Sequence, residues 1–268
     1  MDIPDNNLLV KGLDGNDRYW DGRGNDTFYG GAGDDTVDRT TCAWDERGNN
    51  KFYGGSGNDQ LGSGNGKDTL YGDAGNDWLD GAFSSDILYG GLGNDIMWGG
   101  FSGNDTLYGQ SGNDLLSGQA HDDYLIGGKG HDRIWGDQGL DTLIGVEPKD
   151  TQPGKGERDT LNDGYGKYFL EKDIFVLGDA SKVYYNDGDN TKSGKPDYAL
   201  IQYFDPNTDV IQLKGKASDY ILRKSPTGMP TGRAIFLETG AVDELIGIVQ
   251  LDGNSTNFSL TASCFKFV

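Results

Sequence analysis

Apolar side chains recur singly, about once in every nine residues, from residue 12 to residue 144 of this chain. Glycine, aspartate and asparagine fill many of the positions between them. An amphipathic helix would need three or four apolar residues in every seven, so this pattern does not indicate helix. It fits very short β-strands that each place one side chain inward. The recurring apolar residues are Tyr19, Phe28, Val37, Phe52, Leu61, Leu70, Leu79, Leu88, Met97, Leu107, Leu116, Leu125, Ile134 and Leu143.

A strand with one inward side chain buries little surface by itself, so successive strands must stack to form a continuous core. Two strands and two turns in every 18 residues then make one coil. The sequence therefore predicts an all-β fold, with residues 1–11 as an N-terminal cap or first strand and a right-handed parallel β-roll over residues 12–162. Residues 145–153 keep the repeat length but place Gln152 at the core position, and Asp159 and Leu161 restore the pattern.

Residues 163–268 lose the nine-residue spacing and contain longer alternating apolar segments. We interpret this part as a β-rich C-terminal module that covers the open end of the roll, because an uncovered last coil would expose a strand edge. Asp205-Pro206-Asn207-Thr208 has the composition of a turn. The predicted strands are residues 173–177, 197–204, 209–213, 220–223, 233–238, 244–250 and 259–268.

The repeat itself is best read at residues 90–98, Gly-Gly-Leu-Gly-Asn-Asp-Ile-Met-Trp, which follow the pattern G-G-x-G-x-D-x-U-x, where U is a large apolar residue. Glycine at places one and four can adopt positive φ angles that aim backbone carbonyls inward. Aspartate at place six adds a charged oxygen. Calcium prefers six to eight oxygen ligands of these two kinds, so the turns predict calcium sites between successive coils.

On these residues the chain resembles the RTX, or haemolysin-type, calcium-binding repeat proteins. The resemblance implies that each ion takes carbonyls of places two and four and the aspartate from one turn, and carbonyls of places one and three and the aspartate from the next turn on that edge. It implies the following calcium ligands: Leu13, Gly15, Asp17, Gly30, Gly31, Ala32, Gly33, Asp35, Gly54, Gly55, Ser56, Gly57, Asp59, Gly72, Asp73, Ala74, Gly75, Asp77, Gly90, Gly91, Leu92, Gly93, Asp95, Gly109, Gln110, Ser111, Gly112, Asp114, Gly127, Lys129, Asp132, Asp26, Asp68, Asp86, Asp105, Asp123 and Asp141.

Alternate turns fall on opposite edges of the predicted roll. We call the odd edge the turns that begin at Gly12, Gly30, Gly54, Gly72, Gly90, Gly109 and Gly127, and the even edge those that begin at Asp21, Asp45, Ser63, Gly81, Gly99, Gly118 and Gly136. Every odd turn has glycine at places one and four and aspartate at place six. The even turns have Asn50 at place six and Ser84 and His121 at place four. They also contain a six-residue insertion at residues 39–44 and one extra residue within residues 99–102. We therefore expect about six calcium ions along the odd edge, from Asp17 to Asp132, and patchier occupancy on the even edge.

Two surfaces admit more than one interpretation. The even edge has either drifted from the consensus or forms a partner-binding rim with Trp44, Phe83, Phe101 and His121. The ninth places of one predicted sheet carry a column of aromatic and aliphatic residues that is either a cross-strand ladder or a surface for polysaccharide or self-association. The column consists of Tyr29, Tyr53, Tyr71, Tyr89, Tyr108, Ile126 and Ile144.

Composition and sequence motifs further limit the classes of function that the chain can have. The formal charge of -20 disfavours nucleic acid and anionic membrane surfaces and favours cations. His121 and His131 both lie in repeat turns, and no G-x-S-x-G or H-E-x-x-H motif occurs, so no enzyme activity is predicted. Cys42 and Cys264 are far apart and imply no disulfide framework. No segment is apolar enough to span a membrane.

The expected protein is therefore a secreted calcium-binding protein. Residues 1–12 do not form a signal peptide, so export is expected to use another signal. Residues 173–177 and 204–213 resemble the module that ends such rolls in exported bacterial proteins, which implies a type I secretion signal. An extracellular carbohydrate-binding or adhesive module is the alternative function.

Overall fold

The computed structural model describes residues 7–38, 48–164, 171–186, 197–238, 243–251, 259–260 and 262–268. Within these ranges the chain forms short strands and one 3-10 helix, Ala217–Asp219, with no α-helix. The strands are β1 (Leu9–Asp14), β2 (Arg18–Trp20), β3 (Thr27–Ala32), β4 (Thr36–Asp38), β5 (Lys51–Ser56), β6 (Gln60–Gly62), β7 (Thr69–Ala74), β8 (Trp78–Asp80), β9 (Ile87–Leu92), β10 (Ile96–Gly100), β11 (Thr106–Ser111), β12 (Leu115–Ala120), β13 (Tyr124–Lys129), β14 (Arg133–Gln138), β15 (Thr142–Val146), β16 (Arg158–Asn162), β17 (Ile174–Val176), β18 (Tyr198–Phe204), β19 (Val210–Leu213), β20 (Tyr220–Lys224), β21 (Arg233–Leu237), β22 (Glu244–Leu251) and β23 (Phe265–Phe267).

The strands form two sheets, because alternate strands pair with each other. The first sheet has the order β1-β3-β5-β7-β9-β11-β13-β15-β17-β19-β23, and the second has the order β2-β4-β6-β8-β10-β12-β14-β16-β18-β22-β21-β20. The pairings of the roll are parallel and join equivalent places of successive coils, as in Leu88 beside Leu107. The predicted all-β parallel β-roll is confirmed.

One buried side chain from each repeat strand forms the core between the two sheets. All the recurring apolar residues are buried, from Tyr19 at the first coil to Leu143, and most are fully inaccessible. Burying a leucine or phenylalanine side chain stabilises the fold by about 1.5–3 kcal/mol. This stabilisation depends on the stack, because each core residue contacts neighbours from the coils on either side.

The C-terminal strands continue the two sheets of the roll. β17 pairs with β15, and β18 pairs with β16, both in parallel. Phe175, Ile201 and Ile211 belong to the same hydrophobic cluster as the repeat core. β20, β21 and β22 form an antiparallel meander at the end of the second sheet. The division of the chain at residues 162 and 163 stays a prediction.

Two details of the predicted strands differ from the structure. Residues 147–157 form turns between β15 and β16, and Gln152 is exposed instead of lying in the core. Proline at 148 and 153 explains this, since proline removes a backbone donor from the ladder. The last predicted strand, 259–268, is shortened to Phe265–Phe267. The turn at Asp205 is confirmed by the hydrogen bond from the Thr208 amide to the Asp205 carbonyl, at 3.1 Å.

The predicted tyrosine column lies on the outer face of the first sheet. Adjacent rings from Tyr29 to Tyr108 are parallel within 7° and their centroids are 4.6–5.0 Å apart. Lys11 lies over the Tyr29 ring, 6.0 Å from its centroid. Ile126 and Ile144 continue the column but are buried. The ring faces therefore cover one another, and the ring edges face outward.

Candidate metal-binding site

The aspartates at place six of the odd edge form a hydrogen-bonded ladder along the roll. The Asp77 amide donates to Asp95 Oδ1 at 2.8 Å, and the Asp95 amide donates to Asp114 Oδ1 at 2.8 Å. Each aspartate thus ties its own coil to the one before it. The ladder runs through Asp17, Asp35, Asp59, Asp77, Asp95, Asp114, Asp132 and Asp159.

The even edge has the same ladder in spite of its irregular turns. Asn50 keeps its place, because its carboxamide oxygen accepts from the Asp26 amide at 2.8 Å and its Nδ2 donates to Asp21 Oδ2 at 2.8 Å. The ladder is made by Asp26, Asn50, Asp68, Asp86, Asp105, Asp123, Asp141, Asp173 and Asp209. The lower calcium occupancy expected on this edge stays a prediction, but its aspartate ladder is continuous.

The second oxygen of most of these aspartates is buried and has no hydrogen-bond partner among the residues that the structure describes. A buried carboxylate oxygen without a donor or cation is strongly unfavourable. Burial raises the pKa of Asp77 to about 7 and that of Asp86 to about 10. The buried Oδ2 atoms without a partner belong to Asp17, Asp35, Asp59, Asp77, Asp95, Asp114 and Asp132 on the odd edge, and to Asp86, Asp105, Asp123, Asp141 and Asp173 on the even edge.

Backbone oxygens converge on the same positions. A Cβ atom at Gly72 would lie 2.5 Å from Asp77 Oδ2 and 2.5 Å from the Gly90 carbonyl oxygen. On the even edge, a Cβ at Gly81 would lie 2.5 Å from the Gly99 carbonyl oxygen and 2.7 Å from Asp86 Oδ2. Carboxylate and carbonyl oxygens from two successive coils are the donor set that calcium prefers. The residues therefore fit this ion on both edges.

Glycine at place one has a different role from the one that the sequence suggested. Its φ angle is not positive; glycine is needed there because the aspartate oxygen and the next carbonyl leave no room for a Cβ. The positive φ angles fall at places two and four, as at Gly91 and Gly93. On the even edge, Ser84 and His121 adopt φ angles of 79° and 77° at place four. Place four therefore accepts a residue with a side chain when its φ angle lies close to that of ordinary left-handed backbone.

Place five carries a second ladder that the sequence analysis did not recognise. The Asn94 amide donates to Asn76 Oδ1 at 2.7 Å, so the donor lies in the later coil, opposite to the aspartate ladder. His131 takes the same role at the end, where its Nδ1 accepts from the Arg158 amide at 2.9 Å. The recurrence of asparagine at place five was the available signal. The odd-edge members are Asn16, Asp34, Asn58, Asn76, Asn94, Asn113 and His131.

Buried tyrosines close one end of each aspartate column. The Tyr185 hydroxyl donates to Asp159 Oδ2 at 2.6 Å at the last level of the odd column. The Tyr19 hydroxyl donates to Asp26 Oδ2 at 3.0 Å near the start of the even column. At these two levels a neutral tyrosine hydroxyl donates a hydrogen bond to the aspartate Oδ2 atom. The aspartates that need a cation therefore lie between each tyrosine and the opposite end of its column.

The structure brings the predicted ligands together in stacked turns. Places one to three of the odd edge are the last residues of the first-sheet strand of each coil, and places four and six lie between this strand and the next second-sheet strand, from β1–β2 to β13–β14. Lys129 lies at place three of the last of these turns, and its side chain forms an ion pair with Asp150 at 3.0 Å. The backbone carbonyl of Lys129, and not its side chain, therefore fits the role of calcium ligand that the resemblance implies for place three.

The predicted even-edge rim is only partly described. Phe101 is 65% exposed and packs against Phe83, with ring centroids 5.7 Å apart. His121 is also exposed. Trp44, Cys42 and the insertion at residues 39–44 lie outside the described residues. Cys264 is buried and not bonded to another described cysteine.

Without calcium, the folded roll should become more stable as the pH falls. Burial raises the pKa of Asp105 and Asp114 to about 7 from an ordinary value of 3.8. The stability gained by protonating such a group is complete below its unfolded pKa and is lost as the pH rises through its folded pKa. Calcium-free protein, which is expected to be largely unfolded at pH 8, should therefore regain β-sheet circular dichroism at pH 5.

With saturating calcium this order should reverse, because protons compete with the ion for the same oxygens. Circular dichroism and melting of the calcium-loaded form, and circular dichroism of the calcium-free form, at the two pH values check the prediction. A calcium-free protein with more β-sheet signal at pH 8 than at pH 5 would contradict it.

The fold and the site together define a parallel β-roll with two files of acidic, oxygen-rich turns. Residues 11–39, 44–70, 62–97, 99–134 and 118–146 match the model of the RTX calcium-binding nonapeptide repeat. The roll of this chain is therefore built from repeats of this family, and the resemblance of its repeats to the RTX calcium-binding proteins is confirmed.

No curated protein matches the chain significantly. Among solved structures, the chain is similar to the AlgE6R3 subunit of the mannuronan C5-epimerase from Azotobacter vinelandii, with 21% identity over 67% of this chain and 84% of that subunit. The TM-score is 0.18, and this likeness supports no structural argument. No helix among the described residues is long and apolar enough to cross a membrane.

Proposed function

We propose that the chain is a secreted, non-enzymatic calcium-binding protein whose roll folds when it meets calcium outside the cell. The observation that carries the proposal is the pair of files of buried Oδ2 atoms that have no hydrogen-bond partner. Ions between successive turns would take these oxygens together with the carbonyls of places one to four. Calcium would supply positive charge and replace the hydrogen bonds that the turns lack.

Electrostatics makes the cation necessary for the folded state. Successive coils lie about 4.8 Å apart, so the aspartates of one edge form a row of closely spaced like charges. At this distance in a partly buried site, two unit charges repel by roughly 3 kcal/mol. A calcium ion between each pair converts this repulsion into attraction. The folded protein is thereby coupled to the calcium concentration.

The proposed affinity suits an extracellular protein. Extracellular calcium modules bind at about 10⁻⁴ to 10⁻³ M, so a low cytosolic concentration would leave the chain unfolded and competent for export. The resemblance of residues 173–177 and 204–213 to the ends of exported rolls supports type I secretion. Extracellular or cell-surface localisation follows from the same proposal.

Direct measurement of calcium binding tests this function. Equilibrium dialysis at millimolar calcium should show on the order of ten ions per chain with half-saturation near 0.1–1 mM, and magnesium should compete poorly. Asp95→Asn should weaken binding because Asp95 faces both neighbouring coils, whereas Asp122→Asn, at an exposed place five, should not. A chain that binds no calcium at about 5 mM, roughly five times the upper end of this range, would refute the proposal.

The alternative function, an extracellular carbohydrate-binding or adhesive module, has weaker support. Sugars stack on exposed aromatic faces, but each ring between Tyr53 and Tyr89 has its faces covered by its neighbours. Only ring edges and hydroxyls remain for a polysaccharide. The stack is better explained as a cross-strand ladder that stabilises the first sheet.

A further inference from the structure

The even aspartate column continues beyond the residues that match the repeat family. The Asp141 amide donates to Asp173 Oδ1 at 2.8 Å, and the Asp173 amide points to Asp209 Oδ1 at 3.4 Å. Strand pairing fixes this register, because Thr142 lies beside Ile174 and Ile174 lies beside Val210. Asp173 and Asp209 therefore occupy place six of two further coils, although their spacing of 32 and 36 residues is not that of the repeat.

A third carboxylate joins them at a position where the repeats have glycine. Trp135 pairs with Asn162, so Asp163 follows at the level of Gly136, which is place one of its turn. The Asp137 amide donates to the Asp163 carbonyl oxygen at 2.9 Å and holds this level. One carboxylate oxygen each from Asp163, Asp173 and Asp209 lies within 4.8 Å of the other two.

The cluster is buried, and one of its oxygens has no partner. Asp173 and Asp209 are each 1% exposed, and Asp163 is half-buried. Asp173 Oδ1 accepts the Asp141 amide, whereas no hydrogen-bond donor among the described residues reaches its Oδ2. Three carboxylates cannot share this space as anions without a counter-charge.

We infer that Asp163, Asp173 and Asp209 form an additional divalent-cation site that joins the C-terminal strands to the roll. The site takes calcium, because its donors are all hard oxygens. The bound ion connects the end of β16 with the starts of β17 and β19. This inference rests on the proposed function for the choice of metal, but the carboxylates of this site lie outside the matched repeats.

Hydrogen exchange during a calcium titration of the full chain tests the site in solution. In Asp163→Asn, the calcium concentration that protects the amides of β17 and β19 should rise by about tenfold or more, because one charged ligand is lost. The amides of β5 to β11 should be protected at the same concentration as in the unchanged protein. Asp122→Asn removes one exposed charge on the even edge but keeps an oxygen that can accept from the Leu140 amide. This control should therefore change the protection of neither β17 and β19 nor β5 to β11.

Anomalous scattering from crystals grown with calcium separates the possible failures. A peak between the three carboxylates, together with peaks in the repeat turns, supports the inference. Peaks in the repeat turns alone would overturn this site while leaving the proposed function intact. No peak at any turn would overturn both. A tenfold shift of all strands together in Asp163→Asn would also contradict a local site.

Discussion

Removal of calcium with EGTA is expected to abolish most of the β-sheet signal in far-ultraviolet circular dichroism, and added calcium should restore it. Each independent site contributes about 2.7 kcal/mol when free calcium is a hundred times its Kd. A domain is usually stable by only 5–15 kcal/mol, so the loss of several sites exceeds the stability of the roll. The apolar core does not compensate, because each repeat strand contributes a single buried side chain.

The measurement is a calcium titration at fixed ionic strength, with magnesium at the same concentrations as the control. Magnesium should not restore the signal, because it demands a smaller octahedral site and retains its waters. Unchanged spectra and an unchanged melting temperature in EGTA would refute calcium-driven folding. The expected change involves the whole roll, since its strands form one continuous core.

Gly93→Ala is expected to lower the free energy of unfolding of the calcium-loaded protein by about 3 kcal/mol or more. Gly93 has a φ angle of +127°, and a Cβ there would overlap the Gly75 carbonyl group of the preceding coil. That carbonyl cannot retreat easily, because β7 and β8, on either side of its turn, pair with β9 and β10. Guanidinium unfolding at constant free calcium provides the measurement.

Gly15→Ala is the matched control, since Gly15 occupies the same place of the first odd turn. Its φ angle is +107°, but nothing lies within 4 Å of the added Cβ. The substitution should therefore cost only about 1–2 kcal/mol, the price of a left-handed backbone for an L-residue. Equal losses at Gly15 and Gly93 would show that backbone conformation, and not the approach of the next coil, decides the effect.

The turns show why prediction succeeded at some places and failed at others. Place six was predictable, because a charged residue repeated beside a buried position needs a counter-charge. Place one was misinterpreted, because the sequence records glycine but not whether φ or lack of space requires it. Only the position of the Gly90 carbonyl next to Gly72 distinguishes these reasons. The ladder at place five was visible in the asparagines, but its direction depends on the stacking of coils.

The repeat pattern could not predict the ends of the two aspartate columns. Tyr185 lies 26 residues from Asp159, and no periodicity links a buried hydroxyl to that carboxylate. Asp173 and Asp209 each precede a short apolar strand, as repeat aspartates do, and this local D-x-U pattern was the available signal. Their shared site with Asp163 depends on strand pairing across segments of irregular length.

The sequence by itself determined the class of fold, the identity of the core side chains and the acidic oxygen-rich turns. It did so because these properties are periodic, and each repeat reports the same local requirement for one apolar and one carboxylate side chain. The tertiary structure decided which oxygens lack partners, where Tyr19 and Tyr185 close the columns, and where three carboxylates meet. These features depend on contacts between residues of different coils, and such contacts are set by the register of the two sheets.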